Sequence, residues 1–266
     1  MPVRTSVRTI PARRRGSVGA ATSPMPDNIA RVRTPCANCD LRELCPPCCG
    51  LAQSRVGAAK RPVFNRSRVR RGESLYRTGD HFTALYAVRS GFFKSTILLD
   101  DGRRDQVTGF SIAGEVLGMD GIGAEWHTCN AIALEDSDVC VIPFGQLQKL
   151  AQEIPDLQRQ FHKMMSREMV REHGVMLLLG SMNAEERLAM FLLNLSMRFA
   201  AQGRSASNFN MRMTREEIGS FLGLSLETVS RILSKFQEEG LLSVRQKVIC
   251  DLDHAGLKRV MGRELP

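Results

Sequence analysis

The sequence predicts an α+β chain built from an antiparallel β-roll, one long helix and a C-terminal winged helix-turn-helix. Three stretches lead to that architecture. Between Val63 and Leu150, short runs of alternating apolar and polar residues are punctuated by glycine. From Ile154 to Met182 a helical pattern runs without a break. From Thr214 onward, two short helices with their own N-caps frame a glycine turn. At 266 residues and 43% hydrophobic, the chain can bury two modest cores, one on each side of the helix. No run of 18 apolar residues occurs, so no membrane partner is expected.

The expected division is a basic tail over 1–34, a cysteine-rich loop over 35–58 and the roll over 59–150. The long helix follows over 151–182, and the winged helix-turn-helix over 183–266.

The net charge of +9 lies largely in the tail, where Arg4, Arg8, Arg13, Arg14, Arg15, Arg31 and Arg33 face the single acid Asp27. Net charge is therefore weak evidence for nucleic acid. The tail reads as solvated and disordered rather than as an amphipathic transit peptide.

Of eight cysteines, five lie between Cys36 and Cys49. No apolar signal segment precedes them, which favours metal or redox chemistry in a reducing compartment over a secreted disulfide scaffold. The stretch TPCANCDLRELCPPCCG is too poor in apolar residues to form a core, so its order must come from something bound. Cys36, Cys39 and Cys45 follow C-x2-C-x5-C. The short gap turns two thiolates towards one centre and the longer one wraps the chain around it. A metal or iron–sulfur centre is expected, with a disulfide switch as the other use of the same sulfurs. Cys48 and Cys49 diverge as neighbours and read as spare thiols. Three thiolates leave one position open, and either Cys129 or Cys140 in the roll could fill it.

In the roll, alternation in LYAVRSGFFKSTILL with turns at Ser90-Gly91 and Asp101-Gly102 predicts hairpins, and the regular spacing of such pieces predicts an antiparallel barrel or roll. In the long helix, Pro155 sits where a missing N–H costs nothing, and the segment would span roughly 40 Å. His162, Met165, Met169, Glu172, Met176 and Leu179 alternate in steps of three and four, the seam of a two-stranded coiled coil, which implies a homodimer. Symmetry would bring Glu172 towards its own copy, where like charges repel. The dimer is read as marginal and set by Glu172, unless Arg171 or an arginine of the second copy neutralises that carboxylate.

Next, Asn183 caps a core helix carrying Leu188, Phe191, Leu192, Leu195 and Phe199. In TREEIGSFLGLSLETVSRILSKFQEEGLL, Thr214 and Glu217 form a capping box and Ser225 caps a second helix after Gly223. Ile218, Leu222, Leu224, Val229, Leu233 and Phe236 share one core, which makes a helix-turn-helix. Glu227, Ser230, Arg231 and Ser234, with Thr228 beside them, face away from that core. Arg231 can grip guanine O6 and N7, Glu227 can accept from cytosine N4, and Ser230 can touch a thymine methyl or a phosphate. LLSVRQKVICDL reads as a two-stranded wing that offers Arg245 and Lys247 to phosphate. No Ser/His/Asp, paired-carboxylate or phosphate-loop constellation appears, so an enzyme is not expected.

From about residue 34 to 260 the chain resembles the Crp/Fnr transcription factors, and closely their oxygen-sensing FNR (fumarate and nitrate reduction regulator) branch. The C-x2-C-x5-C loop, GEVLGMDGIG, NAEERLA and GLSLETVSRILSKF carry the likeness. The resemblance implies a roll of the cyclic-nucleotide-binding type and a [4Fe–4S] cluster on Cys36, Cys39, Cys45 and Cys140. The strand ligand of such regulators precedes a short apolar segment with Pro and Phe, as VCVIPF does, and Cys129 is the reserve. It implies a TTGAT half-site read by Glu227, Ser230 and Arg231, hence double-stranded DNA with a palindromic site. The cyclic-AMP branch needs Arg-Ser/Thr-Ala where this chain has His127, Thr128 and Cys129, so no cyclic nucleotide is expected. Asp40 beside the second ligand and the extra Cys48 and Cys49 depart from the minimal pattern.

The implied mechanism is cytoplasmic. Without O2 an intact cluster pushes the seam of Met165, Met169, Glu172, Met176 and Leu179 into a dimer, and oxidation loosens the loop so that Glu172 repulsion wins. By the same resemblance RNA polymerase would be met near Asp100, Asp101, Gly102 and Arg103, a turn that on its residues alone reads as a plain hairpin tip. A thiol or zinc switch, or a nitric-oxide-responsive relative without the cluster, is the competing reading.

Overall fold

Alternating residues build eight strands in the first half of the chain. They are β1 (Asn65–Val69), β2 (Ser74–Tyr76), β3 (Ala84–Ser90), β4 (Phe92–Leu98), β5 (Asp105–Ile112), β6 (Val116–Leu117), β7 (Asn130–Ala133) and β8 (Ser137–Pro143). The computed structural model describes residues 65–99 and 105–262. The basic tail, the cysteines at 36, 39, 45, 48 and 49, and the hairpin tip at Asp100–Arg103 lie outside the described residues.

The strands form two antiparallel four-stranded sheets, in the orders β1-β8-β3-β6 and β2-β7-β4-β5. Val69, Val88 and Val139 from the first meet Phe93, Ala131 and Ala133 from the second, which closes the roll's interior. Because side chains alternate along a strand, each sheet has a second face to bury. Leu85, Ala87 and Ile142 on the outer face of the first sheet pack under Leu147 and Leu157. These two leucines belong to α1 (Phe144–Glu153) and α2 (Pro155–Ser181).

Pro155 stands at the N-terminus of α2. Helix α1 is not among the elements expected of the roll over 59–150: β8 ends at Pro143, and Phe144 opens the helix.

The outer face of the second sheet carries the C-terminal domain. Its helices are α3 (Ala184–Ala201), α4 (Arg215–Leu222), α5 (Leu226–Glu238) and α6 (His254–Val260). Phe92, Val107, Phe110 and Ile112 of the roll share one core with Leu188, Phe191, Leu222, Val229 and Phe236. At the junction the rings of Phe110, Phe191 and Phe221 form a triangle with centroids 5.4 to 6.0 Å apart, within the range of favourable edge and tilted contacts. The stretch read as a two-stranded wing forms two strands, and a third from further back in the chain joins them. β10 (Ser243–Arg245) pairs with β11 (Val248–Cys250), which pairs in turn with β9 (Phe209–Asn210).

Candidate functional site

The helix-turn-helix is assembled by local chemistry. Thr214 and Glu217 complete the capping box of α4, and the Ser225 side chain accepts from the Thr228 amide to start α5. Between them Gly223 takes a left-handed φ of 66°, which a β-carbon would strain. Gly219 has a different reason to be glycine: a β-carbon there would lie 2.6 Å from the Leu224 carbonyl oxygen. These constraints bring α4 and α5 together over Ile218, Leu222, Val229 and Leu233, all buried.

With that face buried, α5 turns Glu227, Arg231 and Ser234 to solvent and leaves Thr228 and Ser230 half-buried. Among the described ion pairs none joins Glu227 to Arg231, so both are available to another molecule. The backbone amide of Glu227 and the Ser225 hydroxyl hold the Glu227 carboxyl below its ordinary range, which keeps it an acceptor at neutral pH. Arg215 on α4 donates to Ser230 Oγ (3.1 Å), while the Thr228 hydroxyl meets the Ser225 hydroxyl at 3.1 Å. The wing places Arg245 and Lys247 in solvent.

The reading head is held to the roll by polar contacts that span more than a hundred residues of chain. Lys94 Nζ lies 2.8 Å from Glu217 Oε1. Burial alone would raise the Glu217 carboxyl, but hydrogen bonds from Lys94 and the Thr214 amide outweigh it and hold the group below the usual range. The Val107 amide donates to Ser220 Oγ at 2.9 Å. Arg187 in the first turn of α3 spends its guanidinium on three carbonyls: Met182 through Nε (2.9 Å), Leu222 through Nη1 (3.1 Å) and Leu179 through Nη2 (2.8 Å).

On α2, Leu157 and Leu178 are buried within the chain, with Phe161 and Met164 half-buried beside an apolar cleft of the first sheet. The expected seam lies elsewhere on the helix. Met169 is 58% exposed, Met176 65% and Leu179 38%, Glu172 is exposed and Met165 half-exposed. Val170 and Leu177, which the heptad pattern did not single out, are exposed beside them. Arg171 does not turn to Glu172. It donates to Glu168 Oε1 (2.5 Å) and reaches Glu115 Oε2 (3.4 Å). Burial pushes the Glu168 carboxyl up, with the Glu172 and Glu115 charges adding to it and Arg171 opposing.

The two roll cysteines differ in kind. Cys129 is buried in the interior beside Tyr76, with its amide donating to Asp120 Oδ2 (3.3 Å). Burial, and then the Asp120 charge, pushes its thiol up to about 12, so a thiolate is disfavoured there. Iodoacetamide at mildly alkaline pH should leave Cys129 unlabelled in the native protein and modify it in denaturant. Rapid native labelling would contradict this environment.

His127 next to it is 2% exposed, stacks on Tyr76 with centroids 3.7 Å apart, and places Nδ1 3.3 Å from Asp120 Oδ1. The first residue of the His127-Thr128-Cys129 triplet is thus turned into the roll, and Thr128 and Cys129 donate their amides to Asp120 as well.

Cys140 is half-buried on β8 and packs against the cluster under α1 and α2. It stands in register between Ala87 of β3 and Arg66 of β1. Asn65, the first described residue, pairs with Val141. The chain arriving from the cysteine-rich segment therefore enters the sheet beside Cys140, and the twenty residues from Cys45 to Asn65 allow a reach of up to about 70 Å. Among the described residues no group of three or more His, Cys, Asp or Glu side chains is placed to hold a metal, and no helix is long and apolar enough to cross a membrane.

A model of the Crp-like helix-turn-helix domain matches residues 186–260, and one of the cyclic nucleotide-binding domain matches 66–153. The transcriptional regulatory protein btr of Bordetella pertussis is 44% identical over 229 residues, covering 86% of this chain and 94% of its own. The fumarate and nitrate reduction regulatory protein of Escherichia coli is 40% identical over 227 residues, 85% of this chain and 90% of its own. Among solved structures, FixK2 from Bradyrhizobium japonicum superposes with a TM-score of 0.70 at 30% identity, covering 77% of this chain and all of that one.

Proposed function

Because this chain belongs to the Crp/Fnr family of DNA-binding transcription regulators, we propose that it is an oxygen-responsive member. In this reading Cys36, Cys39, Cys45 and Cys140 hold a [4Fe–4S] cluster, and DNA affinity follows a monomer–dimer equilibrium on α2.

The observation that carries this reading is the position of Cys140. It is partly accessible, lies on the sheet face that α1 and α2 cover, and sits one register step from where the cysteine-rich segment joins the fold. Thiolate ligands suit iron–sulfur centres. Cys129 fits less well, since its buried setting resists ionisation. When bound, the cluster supplies an oxygen-labile cross-link between the cysteine-rich segment and β8.

The chain's own residues supply the switch. Met165, Met169, Met176 and Leu179 offer apolar surface to a second copy. Glu172 opposes pairing, with Arg171 engaged by Glu168 and Glu115. Moving the equilibrium from mostly monomer to mostly dimer needs about 5 kcal/mol of differential binding, which ligation by four sulfurs can provide.

Paired helices then set two copies of α5 about 34 Å apart, one turn of DNA. Arg231 grips a guanine and Glu227 a cytosine of a TTGAT-type palindrome, with Thr228, Ser230 and Ser234 alongside and Arg245 and Lys247 on phosphate. The protein acts in the cytoplasm beside RNA polymerase, and the absence of an arginine from the His127-Thr128-Cys129 triplet supports control that needs no cyclic nucleotide.

The test is anaerobic purification followed by absorption, iron and sulfide assays and sedimentation, before and after air. Brown protein with about four irons per chain, dimeric under argon and monomeric in air, is expected. Colourless protein would replace the cluster with a zinc or thiol switch. Glu172→Ala should stay dimeric in air, and an unchanged monomer fraction would remove Glu172 from the switch.

A further inference from the structure

Glu115, which precedes β6, joins three parts of the molecule. Its carboxylate accepts from the Ile112 amide of its own roll (3.0 Å). It takes both ends of the Arg198 fork, Nε to Oε1 at 2.8 Å and Nη2 to Oε2 at 2.7 Å. It also meets Arg171 of α2 at 3.4 Å. Arg198 lies on α3, beyond the hinge at Met182 and Asn183, and its Nη2 also donates to the Phe110 carbonyl (2.7 Å).

The side chains of Glu115, Arg171 and Arg198 are 24%, 29% and 18% exposed, so solvent screens them only in part. Bidentate arginine–carboxylate pairs fix direction as well as distance. Arg171 adjoins Glu172 on the seam, so one carboxylate ties the pairing helix to the reading head through the roll.

We propose that Glu115 is a positioning residue that fixes the angle of the reading head relative to the dimer seam. The inference rests on the dimer reading above. In Glu115→Gln the two arginines lose their shared charge and face one another. The head then rotates about the hinge, and α5 of each subunit samples positions out of step with the half-sites.

The test uses the full chain as wild type, Glu115→Gln, Arg198→Lys, Arg198→Gln and the double variant Glu115→Gln/Arg198→Gln. Hydrogen exchange at the Val107 amide, which Ser220 holds, should quicken roughly tenfold in Glu115→Gln while β7 amides stay protected. Palindrome affinity should fall roughly tenfold and no further in the double variant, because a coupled pair is lost once. Preference for the native half-site spacing over one lengthened by two base pairs should narrow.

Arg198→Lys keeps the charge without the fork and should fall between wild type and Arg198→Gln. Exchange and affinity within twofold of wild type in Glu115→Gln, or fully additive losses, would overturn the proposal. Exchange reads head docking without DNA, so it decides the role of Glu115 even if wild type ignores the palindrome and the dimer reading fails.

Discussion

Arg231→Ala is expected to cut affinity for the palindrome at least thirtyfold at fixed salt, measured by fluorescence anisotropy. The two subunits each lose a bidentate base contact, for about 2–6 kcal/mol in total. The guanidinium is exposed on α5, and no carboxylate of the described residues engages it. Removing it therefore leaves no buried partner unpaired and should not move the melting temperature. Discrimination should relax at the one base pair it reads. Lys247→Ala on the wing should instead weaken all sequences alike and lower the salt slope by about two units, one for each subunit. An Arg231→Ala protein that still separates guanine from adenine at that position would mean that another residue does the reading.

Cys140→Ser should abolish the oxygen response. Serine fits the strand at little cost, so β8 keeps its register with Arg66 and Ala87, yet the hydroxyl is a poor ligand for iron. Iron retained after anaerobic purification should drop to a small fraction of wild type. Palindrome affinity under argon should fall to the level seen in air, roughly a hundredfold if the dimer equilibrium moves from mostly on to mostly off. Cys129→Ser should retain iron, since Cys129 is buried in the roll's interior, away from the face on which Cys140 lies. The reverse pattern would make Cys129 the ligand and would require the roll to open.

The helix-turn-helix was legible because its signals are local. Thr214 with Glu217, Ser225 and Gly223 are caps and a turn whose partners lie within a few residues, and the structure contains each of them. Strand alternation was legible for the same reason, as in β3 and β4. Helix α1 was not, because it is short, carries Gly145 in its first turn and has no side-chain cap. β9 spans only two residues, too few for any period.

The contacts that seat the reading head were invisible in principle: Lys94 and Glu217 are 123 residues apart, Glu115 and Arg198 83. Nothing in NAEERLA singles out Arg187 as the residue that spans the hinge. For the two roll cysteines, the spacing left both open. Their environments differ because Cys129, just before β7 of the second sheet, faces the interior between the two sheets, whereas Cys140 on β8 of the first sheet faces outward to the margin under α1 and α2.

The Arg187 guanidinium carries a mechanical consequence. Its three carbonyl acceptors belong to the end of α2, to the hinge itself and to the end of α4. A swivel that left α2 intact would have to strip a full positive charge of at least one backbone dipole. The joint therefore behaves less like a loose tether than like a knuckle with a single cross-pin. Slack enters only when the last turn of α2 unwinds and carries Leu179 away, so fraying at the end of the pairing helix is felt directly at the start of the recognition turn.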